Sequence, residues 1–244
     1  MSARYLAALA AACTVTAPAG AQTTATVGAE LTNDEVRRGL SWSEGRASVS
    51  GDAFVDIGPI DASARIVATR GSERHAGADA VADLTLGTGW DMGAVSLRAT
   101  ATGHLFAGAR TGMDYVELGS SAAAGLGPAR LTAGVLYAPS QDAIGGDNLY
   151  LYASADSGIP GTPLTVIAEI GHSSGSVDDS QRAQRLRPGG SYTDWRLGVE
   201  RRRGPLTLGL SYIGTDVDQG AIGGPYADLS HAGDRIVGRV RVEF

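Results

Sequence analysis

The stretch Asp234-Arg-Ile-Val-Gly-Arg-Val-Arg-Val-Glu-Phe244 decides the fold. Its even positions read Ile236, Gly238, Val240, Val242 and Phe244, and its odd positions Arg235, Val237, Arg239, Arg241 and Glu243. Period-2 alternation of this kind marks a strand with one apolar and one charged face. A soluble sheet has nothing left to cover an apolar strand that finishes on an aromatic. A strand closing a barrel in lipid has that face covered by the bilayer. The expectation set by these residues is an all-β chain forming a transmembrane, antiparallel, up-and-down β-barrel.

The other end points to the same compartment. Arg4, the Ala/Leu-rich run from Tyr5 to Val15 and the small-x-small site Ala19-Gly20-Ala21 make residues 1–21 a secretory signal peptide, leaving 22–244 as one barrel domain. A lipoprotein reading of Leu9-Ala-Ala-Ala-Cys13 is weaker, because Ala10 stands where a bulky residue is usual. Cys13 is the only cysteine, so the mature chain has neither disulfides nor thiolate metal ligands. Every basic side chain is arginine, and the net charge of −6 argues against a nucleic-acid partner. No later run approaches the ~18 apolar residues of a membrane helix. Mean hydropathy near zero fits interleaved apolar and polar faces.

About twelve strands follow from the pattern, each near the ~9–11 residues that a tilted membrane strand needs. They are expected at 24–32, 46–57, 60–70, 78–86, 94–102, 114–124, 129–137, 148–157, 163–172, 192–201, 205–213 and 234–244. Short Gly/Pro turns, among them Gly58-Pro59, Gly87–Gly93, Gly125–Pro128 and Gly158–Gly161, alternate with long polar connections at 33–45, 173–191 and 214–233. With an even strand number the short turns fall at one end, the asymmetry of periplasmic turns and extracellular loops. Tyr115, Tyr137, Tyr192, Trp195 and Tyr212 sit near strand ends on the long-loop side, as an interfacial girdle would.

Charge fixes the facing. In mid-strand, Arg and Asp/Glu occupy one phase only, and each arginine on the lipid side would cost about 2–4 kcal/mol at the midplane. The residues expected to line the pore are therefore Asp52, Arg65, Asp83, Arg98, Arg130, Glu169, Arg196, Glu200, Arg239 and Arg241, with Asp56 beside them. One consequence would be a charged constriction that selects solutes; the other is opposite charges pairing across the lumen and filling it. Twelve strands lie between the filled eight-stranded barrel and the open channels of about sixteen.

Several short motifs resemble the TorF-like family of proteobacterial outer-membrane porins, across nearly all the mature sequence. They are Thr32-Asn33-Asp34-Glu35-Val36-Arg37-Arg38-Gly39-Leu40-Ser41, Asp114-Tyr115-Val116-Glu117, Tyr192-Thr193-Asp194-Trp195-Arg196-Leu197-Gly198, Tyr212-Ile213-Gly214-Thr215-Asp216 and the final segment from Asp234-Arg235-Ile236-Val237 to Phe244. The first departs from the family's Ser-Asp-Tyr opening. The resemblance implies an outer-membrane barrel of porin type and specifies no substrate.

Other chemistry is thin. His172 and Ser174 could form the base and nucleophile of a rim acyl hydrolase, but Glu169 lies on the opposite face of a regular strand from His172. Asp142, Asp147, Asp178, Asp179, Asp216 and Asp218 lack the ordered spacing of a calcium loop. Arg201-Arg202-Arg203 reads as a solvated turn or a contact to lipid phosphates. No cofactor and no metal is expected. The sequence reading is a non-enzymatic, porin-like channel in the bacterial outer membrane, passing small polar solutes by diffusion. Its partners would be outer-membrane lipid and the barrel-assembly machinery, the latter through Phe244. The alternatives are a non-conducting structural or adhesive barrel whose outer loops bind partners, and a soluble periplasmic β-protein.

Overall fold

The computed structural model describes residues 23–244; the expected signal peptide lies outside them. The strands in chain order are β1 (Thr23–Thr32), β2 (Val36–Arg37), β3 (Leu40–Ser41), β4 (Ser48–Ile57), β5 (Ile60–Ser72), β6 (Ala78–Met92), β7 (Val95–Ala107), β8 (Tyr115–Leu126), β9 (Ala129–Gln141), β10 (Gly146–Gly158), β11 (Leu164–Ser174), β12 (Tyr192–Arg203), β13 (Leu206–Thr215) and β14 (Arg235–Glu243). Among the described residues, twelve of them form one closed antiparallel barrel in which each strand pairs with its neighbours in sequence and β14 returns to β1. Phe244 completes the closure: its amide donates to the Val27 carbonyl at 2.9 Å and its carbonyl accepts from Val27 at 3.0 Å. Among the described residues the barrel has no edge strand, since each of its twelve strands pairs with a neighbour on both sides.

All twelve expected strands are present, and β5, β7, β9, β10, β11 and β13 run further than expected at the loop end. The largest difference is in β6, which continues through Gly87 to Met92, so that the turn is Gly93-Ala94. Gly87 is a strand residue facing the lumen, where a Cβ would collide with the Arg98 guanidinium and the Asp61 carboxylate. Glycine inside a strand marks a close approach here, not a turn.

The alternation is realised as expected. Val27, Leu31, Val49, Ile66, Leu84, Leu86, Leu118, Leu151, Ile170, Leu197, Leu208, Leu210 and Ile236 all point outward and are exposed. Packing within the chain occurs inside the outer half of the barrel. There Val67, Val81, Trp42, Tyr115, Ala138, Ile144 and Leu186 form one apolar cluster, and Leu40, Tyr192, Val217 and Ala232 a second. Tyr115 and Tyr192 thus belong to the interior, at 4% and 2% exposure, and not to the girdle the sequence reading gave them. Both stand in the lumen phase of their strands, a distinction that position near a strand end does not make. Tyr137 and Tyr212 do face outward.

The facing can be tested on two adjacent residues of β6. Leu84→Arg, outward, is expected to destabilise the barrel refolded in lipid by about 2–4 kcal/mol. Thr85→Arg, one residue on and beside Thr102 in the lumen, is expected to cost less than half of that. Urea titration in vesicles measures both; equal losses would mean that the phase is wrong.

Candidate functional site: the lumen and its plug

The first long connection enters the barrel. β2 and β3 form a small hairpin with Val36 opposite Ser41 and Arg37 opposite Leu40, joined by Arg38-Gly39. Both turn residues have positive φ, +49° and +72°, which is what a two-residue type I′ turn demands and why glycine suits its second position. Asp34 anchors the base of the hairpin, accepting from Ser41 Oγ at 2.5 Å and Ser43 Oγ at 3.0 Å and facing Arg235 Nε at 3.2 Å. Burial pushes the Asp34 carboxyl above its ordinary pKa, against the pull of these partners.

The hairpin's arginines span the lumen. Arg37 makes a bidentate pair with Asp83 on β6, at 2.7 and 3.2 Å, and lies 4.1 Å over the Trp42 ring. Arg38 reaches Glu117 on β8 at 2.5 and 2.6 Å and lies 4.7 Å from the Tyr150 ring centre on β10. The Tyr192 hydroxyl, on β12, donates to the Arg38 carbonyl at 2.9 Å. One residue therefore touches three separate parts of the wall. Arg37 engages Asp83 through both terminal nitrogens of its fork, a geometry that a lysine, as a point charge, would not reproduce.

From Arg37 an ion-pair chain runs round the wall: Asp83, Arg37, Glu35, Arg65, Glu30, Arg239, Glu200 and Arg196. Separate pairs join Arg241 to Asp52 at 2.6 Å and Arg98 to Asp61 at 2.5 Å. The residues expected from sequence thus share the lumen, and most are neutralised in pairs. Arg130 is at the turn end, where with Asp56, Asp61 and Arg98 it lines a recess of about 350 Å³. Glu169, on β11, makes none of the ion pairs among the described residues. Sequence reasoning missed Glu30, Asp61, Glu117 and Asp194, although strand alternation places each in the lumen phase. It also missed Glu35, Arg37 and Arg38, whose inward fold no periodicity reports.

Above the plug the loops form a cap held by buried arginines. Arg74, with no exposed surface, donates to the carbonyls of Ser41, Arg185 and Asp228. Arg185, equally buried, donates to the carbonyls of Met113 and Ala143 and to His75 Nδ1, and lies 4.2 Å over Phe106. His75 is wedged between Trp42 and Phe106, and burial together with the Arg185 and Arg74 charges pushes its pKa well below 6.5. Burial lowers Arg185 to about 10, which leaves it charged at neutral pH.

The rim hydrolase geometry is not assembled. His172 faces outward with Nδ1 at 3.1 Å from Thr193 Oγ1, while Glu169 points into the lumen.

A family model described as "Bacterial protein of unknown function (Gcw_chp)" matches residues 16–237. The chain belongs to this family. No curated protein matches it. Among solved structures, the chain is similar to an outer-membrane channel from Pseudomonas putida F1, at 12% identity and a TM-score of 0.53, covering 93% of this chain and 96% of that one. It is also similar to a membrane protein from work on the mechanism of in-meso crystallization, at 11% identity and a TM-score of 0.51, covering 90% and 83%. At these identities the likeness is one of fold: a closed, outer-membrane-type barrel.

The brace and the cap can each be tested. Arg38→Met leaves Glu117 buried without its counter-charge and is expected to cost about 3 kcal/mol; Arg38→Met with Glu117→Gln should recover at least half. Denaturant titration of the refolded barrel provides the comparison. Acid should loosen the cap. His75 stays neutral while packed, whereas an opened cap lets it protonate near 6.5, so the closed form is insensitive to pH above that value and loses stability as pH falls below it. The protection factors of the amides at 73–77, from which the intrinsic pH dependence of exchange is removed, should fall below that pH, and His75→Gln should abolish the fall.

Proposed function

We propose that the chain is a narrow outer-membrane channel through which small polar solutes diffuse, with the β2–β3 hairpin as its constriction. The observation that carries this reading is a charged hairpin folded inside a closed barrel, fixed at its base to Arg235 of β14 and braced by Arg37 and Arg38 against β6 and β8 on the far side. Channels discriminate by rings of charge at a narrow point, and a braced loop sets such a point in a barrel of intermediate width. Below it, the recess lined by Asp56, Asp61, Arg98 and Arg130 opens at the turn end. Asp52, Arg65, Asp83, Arg98, Arg130, Glu169, Arg196, Glu200, Arg239 and Arg241 then act as pore-lining groups. The exposed apolar belt supports a lipid-facing wall, and the resemblance to TorF-like porins supports the same class of function. Phe244, paired with Val27 at the seam, would be the residue read by the barrel-assembly machinery. No step of this function requires a cofactor.

A second reading has its own support. The cap around Arg74, Arg185 and the Trp42 cluster packs the outer mouth, as a non-conducting barrel with partner-binding loops would have it.

Planar-bilayer recording of residues 22–244 separates the two. The channel reading expects small unitary steps in the wild type and a several-fold larger conductance in Arg37→Ala/Arg38→Ala, with ion preference altered in Arg98→Ala and Arg196→Ala. An inserted barrel that stays silent in wild type and plug variant alike would establish the second reading.

A further inference from the structure

The lumen's charge is unevenly compensated. On the side formed by β14, β1, β4, β5 and β6, the carboxylates Glu30, Asp52, Asp61 and Asp83 each have an arginine within 4 Å. On the side formed by β10, β11 and β12, Asp194 and Glu169 have none among the described residues. Asp194, at 3% exposure, accepts one hydrogen bond through Oδ1, from the Tyr150 hydroxyl at 3.2 Å. Its other oxygen, Oδ2, is buried without a partner. Glu169 lies diagonally below: it is opposite Arg196 in register, as Gly171 is opposite Asp194. Arg196 forms no ion pair with it within 4 Å and is shared with other acceptors, donating to Ser211 Oγ at 3.1 Å and facing Glu200 at 3.6 Å.

A second feature marks the same place. Ser173, with no exposed surface, stands in the lumen phase of β11 two residues from Gly171, and its hydroxyl is unpartnered as well. The Tyr150 ring lies directly over Gly171, which brings its hydroxyl to Asp194. From the other side the plug's turn packs on Asp194 and Thr215 at Gly39 and presents the Arg38 carbonyl, which accepts from Tyr192. The seam between plug tip and wall thus gathers carboxylate, hydroxyl and carbonyl oxygens. The one cation beside it, Arg38, is committed to Glu117. Buried polar atoms without protein partners are sites for water or an ion. Hard oxygen donors with net negative charge favour a cation, not an anion.

We propose that this seam binds small monovalent cations at Asp194, with Glu169 as the next step below, and makes the channel cation-selective; the proposal rests on the channel reading. Cations enter the seam between the plug tip and the β10–β12 wall by exchanging hydration water for its oxygens, while the arginine-rich wall opposite, being paired, contributes little net field. Chloride meets two carboxylates without an arginine of their own on that route and is held back.

The test is the reversal potential of residues 22–244 in a planar bilayer under a potassium chloride gradient, beside Glu169→Gln, Asp194→Asn and the double variant. The side-chain amide introduced by Asp194→Asn can still accept from Tyr150, and Glu169 holds no hydrogen bond to lose, so both replacements should fold. Heat-modifiable migration in a detergent gel checks that they do. The wild type is expected to prefer potassium over chloride by about threefold or more, and the double variant to bring the ratio to about one while still conducting. Glu169→Gln alone should give an intermediate ratio. A conducting wild type that prefers chloride, or a double variant with unchanged preference, would overturn the cation site and leave the channel standing. A silent wild type would overturn both.

Discussion

The constraint on which everything else depends is the closure of β14 onto β1. A closed antiparallel barrel gives every strand residue one of two places, outward or inward, and a strand one residue out of phase would turn all of its charges toward the apolar side. Closure therefore forces the arginines and carboxylates of twelve strands into one narrow interior. Charges brought that close in a partly desolvated space must be paired or hydrated. The ion-pair chain from Asp83 to Arg196 is the result, and it runs along one side of the lumen, from β6 through the plug's Arg37 and Glu35 to β5, β1, β14 and β12.

The wall does not balance itself. Asp83 and Glu117 receive their arginines from outside the barrel strands, from Arg37 and Arg38. The plug completes the electrostatics of the wall, and this accounts for a long polar connection folding inward when loops of its composition usually remain in water. Its base is fixed by Asp34 and Arg235, its turn by Arg38-Gly39, and its far end by Tyr192 and Glu117. The contacts that stabilise the hairpin also fix how far it stands from the wall, so plug position and stability depend on the same few residues. Buried Arg74 and Arg185 extend this logic upward, joining loops through main-chain carbonyls in place of carboxylates.

Most of the barrel was legible because its physics is local. Alternation at period two and Gly/Pro turns are visible within ten residues, and they locate all twelve strands and their facing. Glu30, Glu117 and Asp194 were readable by the same rule, since each alternates with the outward residues Leu31, Leu118 and Leu197 of its own strand. The hairpin was not readable, since Val36-Arg-Arg-Gly-Leu40 carries a turn signal but nothing to say where the turn points. Gly87 misled for the opposite reason: its local meaning, a turn, gave way to a tertiary one, room for Arg98 and Asp61. Tyr115 and Tyr192 show that height along a strand and facing are independent, and that only phase decides burial.

The polarity of the lumen follows from where the arginines fall along the chain. β14 carries three, Arg235, Arg239 and Arg241, each inward, and its neighbourhood supplies Asp34, Glu30, Glu200 and Asp52 to meet them. β8, β10 and β11 carry none. A carboxylate on β8 can be reached by the plug, because Arg38 extends across to it. Beyond that reach, Glu169 has only Arg196 opposite, already drawn toward Ser211 and Glu200, and Asp194 has only a tyrosine hydroxyl. Compensation by a single hairpin two residues wide at its tip serves one side of the barrel and leaves the other negative. A lumen built in this way carries a field directed across it, with its uncompensated end where the plug meets β10–β12.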